Sequence, residues 1–121
     1  VMETITLGRF IEQLENLKPD CLVSYDFCSM RPTRFGSYRG YYDHLALGHT
    51  EDGPYMKAEQ LLKLAKEAVG ETYQGWKGGD FTMDLTTPVW VDNSGHSSST
   101  MIIKIVDLGY GYAKIITQSE E

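Results

Sequence analysis

Cysteine and histidine are scarce in this chain, with two of the former and three of the latter in 121 residues, and the shortage excludes several chemistries. Cys21 and Cys28 form no Cys-x-x-Cys pair, so they build neither a zinc ribbon nor a dithiol redox motif, and buried free thiols are expected. His44, His49 and His96 have no partner pattern of a hydrolase; His44 and His49 fall on opposite faces if both lie in one strand. Positive charge is also short: 11 Lys and Arg against 17 Asp and Glu leave a net charge of −6 and a pI near 5.0. Duplex DNA and anionic membranes require an extended basic surface, so neither is expected as a partner, and any anion site must be local. No apolar run approaches the roughly 20 residues of a membrane span. No cationic segment followed by an apolar stretch and a small-residue cleavage site is visible, so a reduced, intracellular chain is expected. The glycines of Gly75-Trp76-Lys77-Gly78-Gly79 are not a phosphate loop, since no Gly-Lys-Ser/Thr follows a four-residue gap and no helix begins there.

What the chain does have is a dense stretch, Ser37-Tyr38-Arg39-Gly40-Tyr41-Tyr42-Asp43, leading into His44-Leu45-Ala46-Leu47-Gly48. Arg39 offers a planar fork of donors that matches phosphate or carboxylate, and tyrosine offers a flat face with a polar tip. Arg31 and Arg34 fall just upstream, so three arginines gather near these rings in an acidic protein. Two readings stand side by side: a local anion and nucleotide site, or a Tyr-rich turn and strand that fills a β core.

Hydrophobic spacing outlines the rest. Leu7, Phe10, Ile11, Leu14 and Leu17 recur at helical intervals behind Thr6 as N-cap, and Lys18-Pro19-Asp20 ends the pattern. Residues 21–27 read as a strand, 28–36 as a loop and 41–49 as a second strand, closed by the turn formers Asp52-Gly53-Pro54. Ala58, Leu61, Leu62, Ala65, Ala68 and Val69 mark a second helix stopped by Gly70. A glycine-broken β segment, 72–83, should turn near Gly78-Gly79. Pro88-Val89-Trp90-Val91 reads as a short strand, with Trp90 anchoring the core, and residues 101–106 and 112–117 as a hairpin; Ser119-Glu120-Glu121 should fray. The expectation is a single α+β domain over residues 1–121, with two amphipathic helices packed on a largely antiparallel sheet.

Stacking, charge and amide groups for a nucleotide-like ligand are available at Arg34, Tyr38, Arg39, Tyr41, Lys77, Phe81 and Asn93. Each also has a packing or turn role open to it. Asp80 and Asp84 are a conceivable carboxylate pair, but the Asp-Phe-Thr-Met-Asp context carries no ligand signature and solvated turn carboxylates are the simpler reading.

Ser37–Asp43 with Leu45-Ala46-Leu47-Gly48, then Gly75-Trp76-Lys77-Gly78-Gly79 with Phe81 and Met83, then Thr87-Pro88-Val89-Trp90-Val91 and Asn93 together resemble the first type of phage Thoeris anti-defence sponge. The resemblance runs in order from the first helix to about Gly95. It implies sequestration without catalysis of cyclic ADP-ribose isomers, the alarm signals of bacterial TIR enzymes, in the cytoplasm of the infected host. It also implies dimers or larger homo-oligomers, no cofactor, and in some members a separate site for cyclic trinucleotides of the CBASS type. Phe81 and Asn93 are similar to the family's aromatic and amide contacts, whereas the arginines are placed by chemistry alone. The rival expectation is a protein-interaction module that covers a host enzyme with a Tyr/Arg-rich surface. A third is an enzyme cleaving cyclic nucleotides with Asp80, Asp84 or His96.

Overall fold

The computed structural model describes residues 3–27, 31–37, 44–50, 53, 55–74, 79–92 and 99–120. The first helix, α1 (Leu7–Glu15), starts where the Thr6 side chain accepts the amide of Arg9 at 3.2 Å. That contact satisfies one of the donors every helix start leaves orphaned. Leu7, Phe10, Ile11 and Leu14 share its buried stripe. The second helix, α2 (Ala58–Ala68), lacks a side-chain cap, and backbone supplies one instead: Ala58 N–H donates to the Cys21 carbonyl at 2.8 Å and Glu59 N–H to that of Pro19 at 3.0 Å. Gly70 follows with φ +87°, the left-handed turn that ends a helix and that glycine adopts without strain. Glu15 and Lys66 link the two helices at 3.4 Å.

Nine strands complete the described fold: β1 (Leu22–Tyr25), β2 (Arg31–Ser37), β3 (Leu45–Thr50), β4 (Met56–Lys57), β5 (Thr72–Gln74), β6 (Asp80–Thr82), β7 (Val89–Val91), β8 (Ser99–Gly109) and β9 (Tyr112–Glu120). Seven form one sheet in the order β2-β3-β7-β8-β9-β1-β4, while β5 and β6 form a separate ribbon. The junctions β2/β3, β7/β8, β8/β9 and β1/β4 are antiparallel; β3/β7 and β1/β9 are parallel. The expected α+β class is present, and four of the six junctions are antiparallel, as expected; the two parallel junctions make the sheet mixed. Strands distant in sequence, with α2 on both connections, supply the parallel junctions.

Three further expectations change. Residues 31–36, read as loop, belong to β2. This strand is at a sheet edge, where Pro32 breaks no interior ladder. Ser119 and Glu120, expected to fray, pair with Thr100 and Ser99. Trp90 does not anchor the main core: Val89 and Val91 point into it, and Trp90 stands half-buried on the other face.

The sheet curls around its own core. Val23, Tyr25, Leu45, Leu47, Val89, Ile102 and Ile115 project inward against the apolar stripes of both helices. Each such large side chain, fully buried, stabilises the fold by about 1.5–3 kcal/mol. Phe10 of α1 meets Phe35 of β2 edge to face, with ring centroids 5.8 Å apart.

Candidate functional site

Of the seven side chains singled out for ligand binding, Arg34 and Phe81 are within the described residues; Tyr38, Arg39, Tyr41, Lys77 and Asn93 lie outside them. Arg34 owes its direction to a bulge. Pro32 pairs with His49 and Phe35 with Leu47, so β2 spends one more residue than β3 over the same interval. An extra residue bends the strand and re-aims side chains that strict alternation would send to opposite faces. Arg34 and Phe35, although adjacent, therefore line the same groove. Gly48 makes room opposite: a Cβ there would stand 3.3 Å from the Thr33 hydroxyl and 3.6 Å from the Arg34 carbonyl oxygen.

The groove has a volume of about 260 Å³. Arg34 and Phe35 come from β2, Leu64, Glu67 and Ala68 from α2, and Glu71 and Tyr73 from the segment after the helix. Its apolar lining, Phe35 and Leu64, is continuous with the core. Phe81 does not line it. On the β5/β6 ribbon Phe81 is directly opposite Tyr73, and opposed residues share a face, so its ring stands beside the tyrosine and packs on the core. The other face carries Thr72 and Thr82, whose hydroxyls are 3.0 Å apart. The structure thus sets Arg34 in the groove that Tyr73 lines, with Phe81 beside Tyr73 on the ribbon.

Charge is divided between the walls. The strand wall, β2, carries Arg34; the helix wall, α2 with the segment that follows it, carries the exposed Glu67 and Glu71 and the half-buried Tyr73. Burial, and then the nearby Glu71 charge, push the Tyr73 phenol above its ordinary pKa, so it remains a neutral donor at physiological pH. The groove can pair an anion at Arg34, accept hydrogen bonds at Glu67 and Glu71 and offer the flat ring of Tyr73.

Sequence reasoning missed Tyr73, Glu67 and Glu71. Their available signal was position: Glu67 and Glu71 flank the Gly70 helix stop, and Tyr73 is the aromatic in the strand that follows.

The other candidates have structural partners. Trp90 Nε1–H donates to His44 Nδ1 at 2.9 Å, with the two ring planes nearly parallel. His49 meets the rings of Tyr25 and Phe27 edge-on. Asp84 accepts the Thr86 amide at 2.7 Å and the Thr86 hydroxyl at 2.6 Å, the geometry of a turn carboxylate. Cys21 is buried, and desolvation together with Asp107 and Asp20 pushes its thiol pKa up, toward the unreactive form. His96 and Cys28 lie outside the described residues. Among the described residues, no three His, Cys, Asp or Glu side chains are grouped to hold a metal ion, and no helix is long and apolar enough to cross a membrane.

Comparison with family models, with curated proteins and with solved structures gives no match for this chain.

Proposed function

We propose that this chain binds a cyclic nucleotide signal of the cyclic ADP-ribose class and holds it uncleaved, as a phage anti-defence sponge acting in the cytoplasm of an infected bacterium. The observation that supports this reading is the groove between β2 and α2, which Arg34 and Tyr73 both line, with Phe81 beside Tyr73 on the ribbon. A diphosphate asks for fork donors and an adenine for a stacking face, and both are present. At about 260 Å³ the groove falls below the roughly 300 Å³ at which pockets for drug-sized ligands begin. It therefore takes one part of a cyclic dinucleotide-sized ligand, and a second copy of the chain completes the site in a homodimer or larger homo-oligomer. Cyclic oligonucleotides of the CBASS type are a further ligand class in this reading.

The test is to incubate the purified chain with cyclic ADP-ribose isomers, remove free ligand, heat the complex and chromatograph what is released. Intact ligand in stoichiometric amount is the expected outcome. Recovery of a cleavage product would make the chain an enzyme, and no recovery from a folded sample would remove the sponge reading.

A second reading has its own observation. Tyr55, Leu108, Tyr110 and Tyr112 are all exposed, with the rings of Tyr55 and Tyr112 5.4 Å apart. Exposed aromatics of this kind suit a protein interface, and a host enzyme inhibited through that surface is the corresponding function. A chain that ignores nucleotides but inhibits a purified host enzyme, and loses inhibition on Tyr110→Ser, would favour it.

A further inference from the structure

The division of charge in the β2/α2 groove carries a more specific assignment, which rests on the nucleotide reading above. A purely anionic ligand has no use for Glu67 and Glu71. These two carboxylates are on the same wall, both are exposed, and both repel phosphate. At neutral pH an ionised carboxylate only accepts hydrogen bonds, so the ligand group that faces the helix wall must donate. Arg34 has the opposite requirement: it only donates, and its ligand group must accept, best as an oxyanion. Tyr73, a neutral and half-buried residue of the lining, asks for a flat or apolar partner.

A ligand that meets all three demands carries an anion, a flat ring and at least one pair of neutral donors within one small unit. A ribonucleotide does so, with phosphate, base and the 2′ and 3′ hydroxyls of its ribose. An amino-acid zwitterion meets the two charged walls but brings no flat ring to Tyr73 unless its side chain is aromatic. The groove volume of about 260 Å³ suits one nucleotide unit rather than two.

We propose that Glu67 and Glu71 hold the ribose hydroxyls of a ribonucleotide unit whose phosphate is held by Arg34 and whose base lies against Tyr73. The helix wall then distinguishes ribose from deoxyribose, and Arg34 supplies affinity for the phosphate end. The two carboxylates also discriminate against ligands that are anionic throughout.

Calorimetric titration of the whole chain tests the assignment, with adenosine monophosphate, its 2′,3′-dideoxy analogue and a cyclic ADP-ribose isomer as probes. The wild-type chain should bind the ribonucleotide at least about tenfold more tightly than the dideoxy form, the usual consequence of losing hydrogen bonds to a charged acceptor. The Glu67→Ala/Glu71→Ala variant should lose that preference and bind the cyclic isomer more weakly. Both positions are exposed, so the variant should keep its circular dichroism spectrum; should it unfold, the analogue comparison on the wild-type chain still decides. Equal affinity for the ribo and dideoxy forms, or a cyclic isomer bound equally well by wild type and variant, would overturn the assignment while leaving the nucleotide reading intact. No binding of any probe by folded protein would overturn both.

Discussion

The phenol of Tyr25 on β1 donates to the carbonyl oxygens of Leu47 and Gly48 on β3, at 3.0 Å each. β1 is sixth in the strand order and β3 second, so this one hydroxyl spans a sheet that has curled back on itself. Tyr25 is 1% exposed, and its single proton is shared between two acceptors. Tyr25→Phe keeps the ring and leaves those carbonyls without that donor. The expected loss is about 1–3 kcal/mol, read as a lower urea midpoint with unchanged slope. An unchanged midpoint would show that the sheet closes without this contact.

Gly8 gives a test in which two effects oppose each other. Within a helix, Gly→Ala gains up to about 1 kcal/mol on propensity alone. Here a Cβ would stand 2.9 Å from the Leu85 carbonyl oxygen and 3.1 Å from the Leu85 Cβ, and Gly8 N–H already donates to that carbonyl at 2.8 Å. The neighbour is backbone and gives little. Gly8→Ala should therefore destabilise by about 1–3 kcal/mol and lower the Tm, the range for overpacking. A rise in Tm would show that propensity outweighs the contact.

Tyr110 predicts the reverse sign. It sits at the tip of the β8/β9 hairpin with φ +56°, followed by Gly111 at +84°, the pattern of a turn that favours Asn-Gly. The side chain is fully exposed, so it contributes no packing to offset the strain. Tyr110→Asn should stabilise the chain by about 1 kcal/mol, the low end of the cost of a left-handed residue. Thermal unfolding checks it, and a lower Tm would point to a contact made by the tyrosine ring.

Asp84 supplies the pH prediction. Hydrogen bonds from the Thr86 hydroxyl and amide hold its carboxyl below the ordinary value. A folded-state pKa that is depressed contributes stability above the unfolded value, and that contribution is lost as pH falls through the folded one. Thr86→Ala removes the hydroxyl donor, so the Asp84 carboxyl should titrate at higher pH, closer to its unfolded value. Carboxyl NMR titration reads this directly, and an unmoved midpoint would mean that the amides suffice.

The two helices were legible because their stripes repeat locally: Leu7, Phe10, Ile11 and Leu14, then Ala58, Leu61, Ala65 and Ala68, are buried as their spacing requires. The β5/β6 and β8/β9 hairpins were legible for a similar reason, since glycine-rich turns announce them. β2 was hidden because Pro32, Thr33, Arg34 and Gly36 suit a loop, and only its place at a sheet edge with a bulge lets them be a strand. The parallel pairing of β1 with β9 joins segments from opposite ends of the chain, which no local pattern encodes. At the site, Arg34 was visible as chemistry but its neighbours were not. Glu67 read as the solvated side of α2, and only the packing of α2 beside β2 sets it in one groove with the arginine.

The most direct test of the sponge reading compares wild type and Arg34→Ala by calorimetric titration with a panel of cyclic ADP-ribose isomers. Arg34 is exposed on an edge strand, so its removal should leave the fold intact. Tight stoichiometric binding of one isomer by the wild type, weakened at least about tenfold by the substitution, is the predicted result for a charge-assisted contact. Equal affinity of both proteins for that isomer, or no heat with any of them from folded protein, would contradict the account.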